Sequence, residues 1–190
     1  ELQPEISVYH CNYGNILYQC NNLEFAIQEH KRAIKLDKKN FQSFYGLGVV
    51  YSYLKNYEKA IEYYKKALSL DGESSVAHNN LANIYNNVNP NLAEEHYLKV
   101  LELVSNDAMP YINISNYYLK NTKYKKCVQI LEEALDKDIK VKELYNNLGI
   151  AYYATKDNTK AKMMFEQAIK LDSGYGHALD NLKNINNLEK

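Results

Sequence analysis

The sequence contains few of the residues that form cross-links or fixed positive charges. It has no tryptophan, three prolines, seven glycines and three cysteines among 190 residues, and its only arginine is Arg32. The three cysteines lie far apart and form no CxxC pair, which indicates free thiols rather than a disulfide framework. We therefore expect a reducing compartment, the cytoplasm.

Charge and hydropathy exclude further classes of function. The 23 basic residues balance the 23 acidic ones, so the formal net charge is zero. Nucleic-acid and membrane-surface binding normally need a basic excess, and neither partner is predicted. No apolar run approaches the roughly 20 residues of a membrane span, so we expect no membrane insertion. No signal peptide is visible, but the chain begins at Glu1 rather than Met, which leaves room for an upstream targeting segment.

The sequence contains a repeat with a period of 34 residues. The stretches 41–74 and 142–175 align in one register, and stepping by the same period finds three more copies. Each copy has the pattern of two amphipathic helices joined by a short turn. The third copy is one residue short, near Asn89 and Pro90, where a turn is expected. The predicted repeats are 7–40, 41–74, 75–107, 108–141 and 142–175.

Residue size also follows the repeat, when positions are counted from the first residue of each copy. Positions 8, 20 and 27 are mostly small, whereas positions 4, 7, 11 and 24 are mostly large. In the second copy, Gly48 stands at position 8 and Tyr64 at position 24, and the fifth copy has Gly149 and Phe165 there. Large side chains opposite small ones allow two helices to approach closely.

This pattern resembles the tetratricopeptide repeat over residues 7–175. It departs from that family at position 4, which is never tryptophan, and at position 32, which is never proline. Residues 176–190 resemble one further first helix, with Lys183 at the small position, as suits a polar cap that closes the last apolar face. The resemblance implies an all-α, right-handed α-α superhelix: one domain over 1–190, with five helix-turn-helix repeats and a capping helix at 176–190.

In this family the first helix of each repeat lines a concave groove, and positions 5, 6 and 9 are among those that face it. Asparagine collects at these positions, beside Tyr45 in the second repeat. The second helices over 23–37, 57–71 and 124–138 contain no asparagine, so composition alone does not explain its placement. The resemblance implies a partner-binding face made of Asn12, Asn15, Tyr45, Asn79, Asn80, Asn83, Asn113, Asn116, Asn146, Asn147, Asn181 and Asn184.

The chemistry of this face suits a peptide ligand. A carboxamide has two donor hydrogens and an acceptor oxygen, so it can bind both N–H and C=O groups of a backbone. The O-linked N-acetylglucosamine transferases are similar, since an asparagine ladder in their groove grips extended substrates. By position, the ladder corresponds to Asn12, Asn80, Asn113 and Asn147, with Asn181 in the cap. The alternative is that these asparagines bond one helix to the next; we favour the ligand-facing interpretation.

The second repeat interrupts the ladder. It has Gly46 at position 6 and Val49 at position 9, beside Tyr45. Two interpretations stay open at this point. These residues form either an apolar pocket for one side chain of the ligand or a chance change of sequence in a single repeat.

A different ligand mode of the family is excluded. The clamp that binds chaperone tails needs lysine at positions 2 and 5 and arginine at position 6 of particular first helices. Arg32 lies in a second helix, and a carboxylate without fixed cations has no charge-assisted partner. Position 5 is occupied by Cys11, Tyr45, Asn79, Ile112 and Asn146. The sequence therefore predicts no chaperone-tail clamp.

The histidines and cysteines show no metal-ligand spacing, and no phosphate loop or nucleophile motif is present. We predict no metal site, no cofactor and no catalytic residues. His96 and His177 stand isolated, and Cys11 is expected to be exposed in the groove, whereas Cys127 occupies a small packing position. Aromatic core positions are held by His10, His30 and His78.

Taken together, these patterns predict a non-catalytic protein-interaction scaffold that binds an extended peptide or partner segment. Two alternatives remain open. The chain could be the regulatory or substrate-recruiting arm of a larger enzyme, such as a glycosyltransferase whose catalytic domain lies outside this sequence. It could also self-associate, with part of one molecule docked in the groove of another.

Overall fold

The computed structural model describes residues 4–188 and divides the chain into two compact units, Glu1–Leu103 and Val104–Lys190. The boundary falls four residues before the end of the third predicted repeat, 75–107. Within 4–188 every regular element is an α-helix and no strand occurs, so the predicted all-α fold is confirmed. The single domain over 1–190 stays a prediction.

The first unit consists of three helix pairs, each matching one predicted repeat, although α1 begins three residues before the first repeat. The two helices of a pair pack together, and the first helix of a pair also packs on the second helix of the preceding pair. The helices are α1 (Pro4–Gln19), α2 (Leu23–Leu36), α3 (Phe41–Tyr53), α4 (Tyr57–Leu70), α5 (Ser75–Val88) and α6 (Pro90–Leu103).

The second unit consists of two helix pairs and a final single helix, which packs on the last pair as predicted for the cap. Its elements are α7 (Ala108–Lys120), α8 (Tyr124–Asp136), α9 (Lys142–Ala154), α10 (Asn158–Leu171) and α11 (Gly176–Leu188). None of the helices in the described part of the chain has the length and apolar character that a membrane crossing requires.

Small residues bring the two helices of each pair into close contact. The alanines at positions 20 and 27, such as Ala60 and Ala67 on α4, are fully buried. A Cβ on Gly48 would lie 2.5 Å from Cδ1 of Tyr64, because that ring already fills the space. Gly149 and Phe165 are related in the same way, at 2.6 Å. The pairing of small and large positions inferred from the sequence is therefore a direct contact between the two helices in these pairs.

The turns inside four of the five helix pairs share one geometry. In the turn from α3 to α4, Lys55 has a left-handed backbone with φ 58°. The Lys55 N–H donates to Ser52 O and the Asn56 N–H donates to Tyr51 O, both at 2.9 Å, which is a Schellman motif. The Asn56 side chain then accepts from the backbone N–H of Lys59 and caps α4. One residue thus ends one helix and begins the next.

The third pair connects differently. Only Asn89 separates α5 from α6, and the positive-φ residue found in the other pairs is missing there. Asn89 N–H donates to Tyr85 O at 2.7 Å and ends α5 without a left-handed residue. Pro90 opens α6, which suits its fixed φ and its missing N–H. The one-residue deletion seen in the sequence therefore removes the left-handed turn residue.

The left-handed turn residue is not glycine in any of these pairs, and Thr122 is the most strained because it is β-branched, with φ 56°. We expect Thr122→Gly to raise the free energy of unfolding by about 0.5–1 kcal/mol, since relief of about 1–2 kcal/mol of backbone strain is partly offset by glycine's entropy. Urea denaturation followed by far-ultraviolet circular dichroism measures this change.

The matched control is Gln129→Gly, in the exposed middle of α8, where glycine should lower the free energy of unfolding by about 1 kcal/mol. If both glycine substitutions destabilise the protein equally, backbone strain at Thr122 is not significant.

Candidate functional site

All twelve predicted binding residues lie on the first helices of the pairs or on α11, but their exposure differs. Asn146 and Asn147 are buried, with only 5% and 8% of their surfaces exposed. The half-buried members are Tyr45, Asn79, Asn80, Asn113 and Asn181. The remaining five, which we call the exposed asparagines, are Asn12, Asn15, Asn83, Asn116 and Asn184.

Two asparagines at position 6, Asn80 and Asn147, bond to the first helix of the preceding repeat. In the first unit, Asn80 Nδ2 donates to the hydroxyl of Tyr45 at 3.0 Å. In the second unit, Asn147 Nδ2 donates to Ser115 Oγ at 2.9 Å and to Asn116 Oδ1 at 2.8 Å. Helix-to-helix bonding, the alternative considered above, is therefore present at these asparagines.

The cap repeats this arrangement. Asn181 Nδ2 on α11 donates to Asn146 Oδ1 on α9 at 3.1 Å. Because Asn146 and Asn147 are buried and engaged, they offer little surface to a partner in the folded state. Among the twelve predicted residues, the exposed asparagines therefore offer the most accessible side chains.

Two exposed asparagines are held in one orientation. The hydroxyl of Tyr97 on α6 donates to Asn83 Oδ1 at 2.6 Å, and Asn147 Nδ2 donates to Asn116 Oδ1 at 2.8 Å. In each carboxamide the oxygen is therefore engaged by a neighbouring helix, while the residue as a whole stays exposed. A fixed amino group is a donor for a carbonyl oxygen of a ligand.

The break in the ladder coincides with a cavity of about 330 Å³ in the first unit. Its walls come from α1 and α3, and a side chain of α2 also contributes. The lining residues are Asn15, Tyr18, Gln19, His30, Tyr45, Gly46 and Val49. The structure therefore has a cavity at Gly46 and Val49, where the sequence left open either a pocket or a chance loss of asparagine in one repeat.

Tyr45 forms a wall that is fixed in place. Its ring stacks on Phe41 at 6.0 Å and meets Tyr64 at 5.7 Å between ring centroids. Burial raises the pKa of Tyr45, and the hydrogen bond from Asn80 opposes that shift. The phenol is therefore neutral at physiological pH. Contacts with Phe41, Tyr64 and Asn80 fix the position of the ring.

His30 is fully buried, and neither of its ring nitrogens has a hydrogen-bond partner among the described residues. Burial lowers the pKa of His30 to about 4, and the charge of Glu29 opposes this only in part. Its ring lies against two glycines: a Cβ on Gly14 would be 2.9 Å from Cε1, and one on Gly46 would be 2.4 Å away. The neutral imidazole of His30 thus occupies the space that a side chain at Gly46, position 6 of the second repeat, would need.

Family comparisons identify the repeat. Models described as tetratricopeptide repeat match residues 41–74 and 142–175, and one described as TPR repeat matches residues 14–54. The chain belongs to the tetratricopeptide-repeat family. No curated protein sequence matches the chain.

Solved tetratricopeptide-repeat structures share its fold. YrrB, a TPR protein with an unusual peptide-binding site, is 23% identical with a TM-score of 0.75, and the match covers 92% of this chain and 90% of that one. A MamA structure is 20% identical with a TM-score of 0.77, covering 90% and 94% of the two chains. The pilF protein of Pseudomonas aeruginosa is 17% identical with a TM-score of 0.76, covering 97% and 85%. At these identities the likeness shows the fold alone.

The tetratricopeptide-repeat fold brings together two histidines that the sequence left apart. His96 was expected to be isolated, and this is wrong: its Nδ1 lies 2.8 Å from Nδ1 of His78, and its ring stacks on Tyr85 at 5.5 Å between ring centroids. Positions 4 and 23 meet because the two helices of a pair pack side by side. Within the described residues, no group of three or more histidine, cysteine or acidic side chains could hold a metal.

The expectation of an exposed thiol at position 5 is also wrong. Only 3% of Cys11 is exposed, because the α1 face that carries it packs under the next pair, near Ser43. Burial raises the pKa of the Cys11 thiol, so it is not an activated nucleophile. Cys127 is fully buried, as its packing position predicted, and burial raises its pKa to about 12.

His30→Phe tests the energetic cost of the unpartnered imidazole. Phe165 occupies the equivalent position against Gly149, so the repeat accommodates phenylalanine there. We expect the substitution to raise the free energy of unfolding at neutral pH by about 1–3 kcal/mol, since it removes buried polar atoms that lack partners. Urea denaturation of both proteins measures the difference.

The difference should grow as the pH falls. The ordinary histidine pKa is 6.5, and in the folded chain that of His30 is lowered to about 4. Between these values the unfolded state binds a proton that the folded state does not, so the wild type loses stability, by an amount on the order of 3 kcal/mol, and the variant does not. His177→Phe, on an exposed residue, is the control and should change little. A variant less stable than wild type at every pH would contradict the assignment.

Proposed function

We propose that this tetratricopeptide-repeat protein is a non-catalytic scaffold that binds an extended segment of a partner protein along the exposed asparagines. The observation that carries the proposal is the sorting of asparagine between helices. It is concentrated on the first helices and absent from the second helices α2, α4 and α8. The exposed polar groups of those second helices are mainly charged.

The orientation of the amides supports backbone recognition. Asn83 and Asn116 are exposed, yet internal bonds to their oxygens fix both carboxamides. A donor that is already oriented loses less side-chain entropy when a ligand binds, so each bond contributes more to affinity. The amino groups of these carboxamides fit the carbonyl oxygens of an extended chain, whatever its side chains.

Electrostatics favour a partner recognised without charge. The net charge is zero, and the only arginine, Arg32, bonds to Glu29 at 2.5 Å on α2, a second helix. The asparagine-bearing positions therefore supply hydrogen bonds rather than a cationic clamp. YrrB, described as having an unusual peptide-binding site, is a precedent for peptide binding by this fold. Free cysteines fit a cytoplasmic location, which is part of the proposal.

A phage-displayed library of random 12-residue peptides tests the proposal. We expect the wild type to enrich peptides of varied side-chain sequence, since the contacts are to backbone groups. The triple variant Asn83→Ala, Asn116→Ala and Asn184→Ala should bind the best peptide about tenfold to a thousandfold more weakly. That range follows from about 0.5–1.5 kcal/mol for each of three hydrogen bonds. Isothermal titration calorimetry measures the change in Kd.

The matched control places the same carboxamide chemistry on second helices. Gln28, Gln129 and Gln167 are exposed on α2, α8 and α10, and their triple alanine variant should bind as the wild type does. Because Asn83→Ala and Asn116→Ala remove acceptors from the buried Tyr97 and Asn147, Kd values are compared at a temperature where circular dichroism shows both triple variants folded. Equal Kd values for the asparagine triple variant and the wild type would overturn the proposed binding face, as would equal losses in both triple variants.

A further inference from the structure

The first unit carries a second concave surface, formed around its second helices α2 and α4. Both helices pack on α3, and residues of all three line a groove of about 530 Å³. We call it the lysine groove, because four of its lining residues are lysines on α2, in the turn that follows α2, and on α4. These are Lys31, Lys35, Lys38 and Lys66. None of the twelve residues of the predicted binding face lines this groove.

The lining of the lysine groove combines positive charge with apolar side chains. Ile34 and Phe44 line it and are half-buried, and Leu70 lines it with 40% of its surface exposed. No acidic residue is among the lining residues. The volume lies within the roughly 300–1,000 Å³ that is typical of ligand pockets. An occupant can therefore bury one large apolar side chain and stay close to several ammonium groups.

Most of this positive charge has no counter-charge in the protein. Lys66 Nζ bonds to Glu62 Oε1 at 2.5 Å. In contrast, Lys31, Lys35 and Lys38 form no ion pair with any residue in the described part of the chain. Lys31 and Lys35 also stand at i and i+4 on α2, where two like charges destabilise a helix. A bound anion would relieve this repulsion.

The equivalent groove one repeat further along has a different charge. Repeat positions 4, 26, 29 and 32 line both grooves, and in the second groove they are His78, Lys99, Glu102 and Gly72. Glu95 lines that groove as well, and Lys99 Nζ donates to Glu102 Oε1 at 3.0 Å. The second groove therefore holds both signs of charge, with its lysine already paired. The unpaired positive charge is a property of the lysine groove and not of every groove between second helices.

A groove with lysines around apolar residues fits a ligand that is both anionic and apolar. Carboxylates would form charge-assisted hydrogen bonds with the ammonium groups, and an apolar side chain would contact Ile34, Phe44 and Leu70. An anionic membrane fits less well, because a broad surface would also meet the acidic residues of a chain whose net charge is zero. We propose that the lysine groove binds an acidic segment of a partner protein, with one large apolar side chain seated among the lysines. This site is additional to the proposed function and does not depend on it.

A fluorescein-labelled peptide, Glu-Glu-Asp-Phe-Glu-Glu with an amidated C-terminus, is the probe, and fluorescence anisotropy with the full chain measures its Kd. We expect saturable binding that weakens roughly tenfold or more between about 0.1 M and about 1 M NaCl, because the Debye length falls from about 10 Å to about 3 Å. The analogues Gln-Gln-Asn-Phe-Gln-Gln and Glu-Glu-Asp-Ala-Glu-Glu should both bind more weakly, since the first lacks the charge and the second lacks the large apolar side chain.

The unpaired lysines are tested with the groove variant Lys31→Gln, Lys35→Gln and Lys38→Gln. It should bind the probe roughly tenfold to a hundredfold more weakly, given about twofold to fivefold for each exposed ion pair. The matched control makes the same change of net charge at exposed lysines that do not line the groove, Lys39→Gln, Lys65→Gln and Lys170→Gln. This control should bind the probe as the wild type does. Leu70→Gln should weaken the phenylalanine probe more than its alanine analogue.

The outcomes are distinct. Saturable binding of the probe that the groove variant loses and the control variant keeps supports the proposal. Equal Kd values for the groove and control variants, equal binding of the acidic and uncharged peptides, or binding to phosphatidylserine vesicles without binding to the probe overturns it. The groove variant keeps every asparagine of the predicted binding face, so it should retain wild-type affinity for the peptides selected from the library. Failure of the lysine groove is therefore distinguishable from failure of the asparagine face.

Discussion

The contact between a small residue on one helix and a ring on its partner is the constraint on which each repeat depends. Where Gly48 faces Tyr64 and Gly149 faces Phe165, even one added carbon would overlap the ring. Packing this tight fixes the distance between the two helices and the rotation of each helix about its axis. Once the rotation is fixed, the residues that face outward on the first helix are fixed too.

The same constraint governs the packing of His30 in the first unit. His30 stands at the ring position between Gly14 and Gly46, and its buried imidazole occupies the space that a side chain at either glycine would need. The burial that lowers its pKa also keeps it neutral, so it can both donate and accept at physiological pH. Gly46 and His30 therefore depend on each other, because any side chain at position 6 of the second repeat would overlap the imidazole.

Much of the fold could be predicted from periodicity alone. The helices match the repeat because small and large positions recur at fixed spacing, and the short turn of the third repeat follows from its missing residue. The site was less predictable. The burial of Cys11 and the pairing of His78 with His96 depend on contacts between helices, which single positions do not reveal. That Asn80 and Asn147 bond to the preceding repeat was foreseen only as an alternative.

The turn geometry has a consequence for how the protein unfolds. Asn56 closes α3 with its backbone N–H and caps α4 with its side chain, and Asp157 does the same between α9 and α10. When one helix of such a pair frays at this residue, the cap of the other is lost as well. The elementary unit of opening in these pairs is therefore the hairpin of two helices rather than the single helix, and amide hydrogens on both should exchange with solvent together.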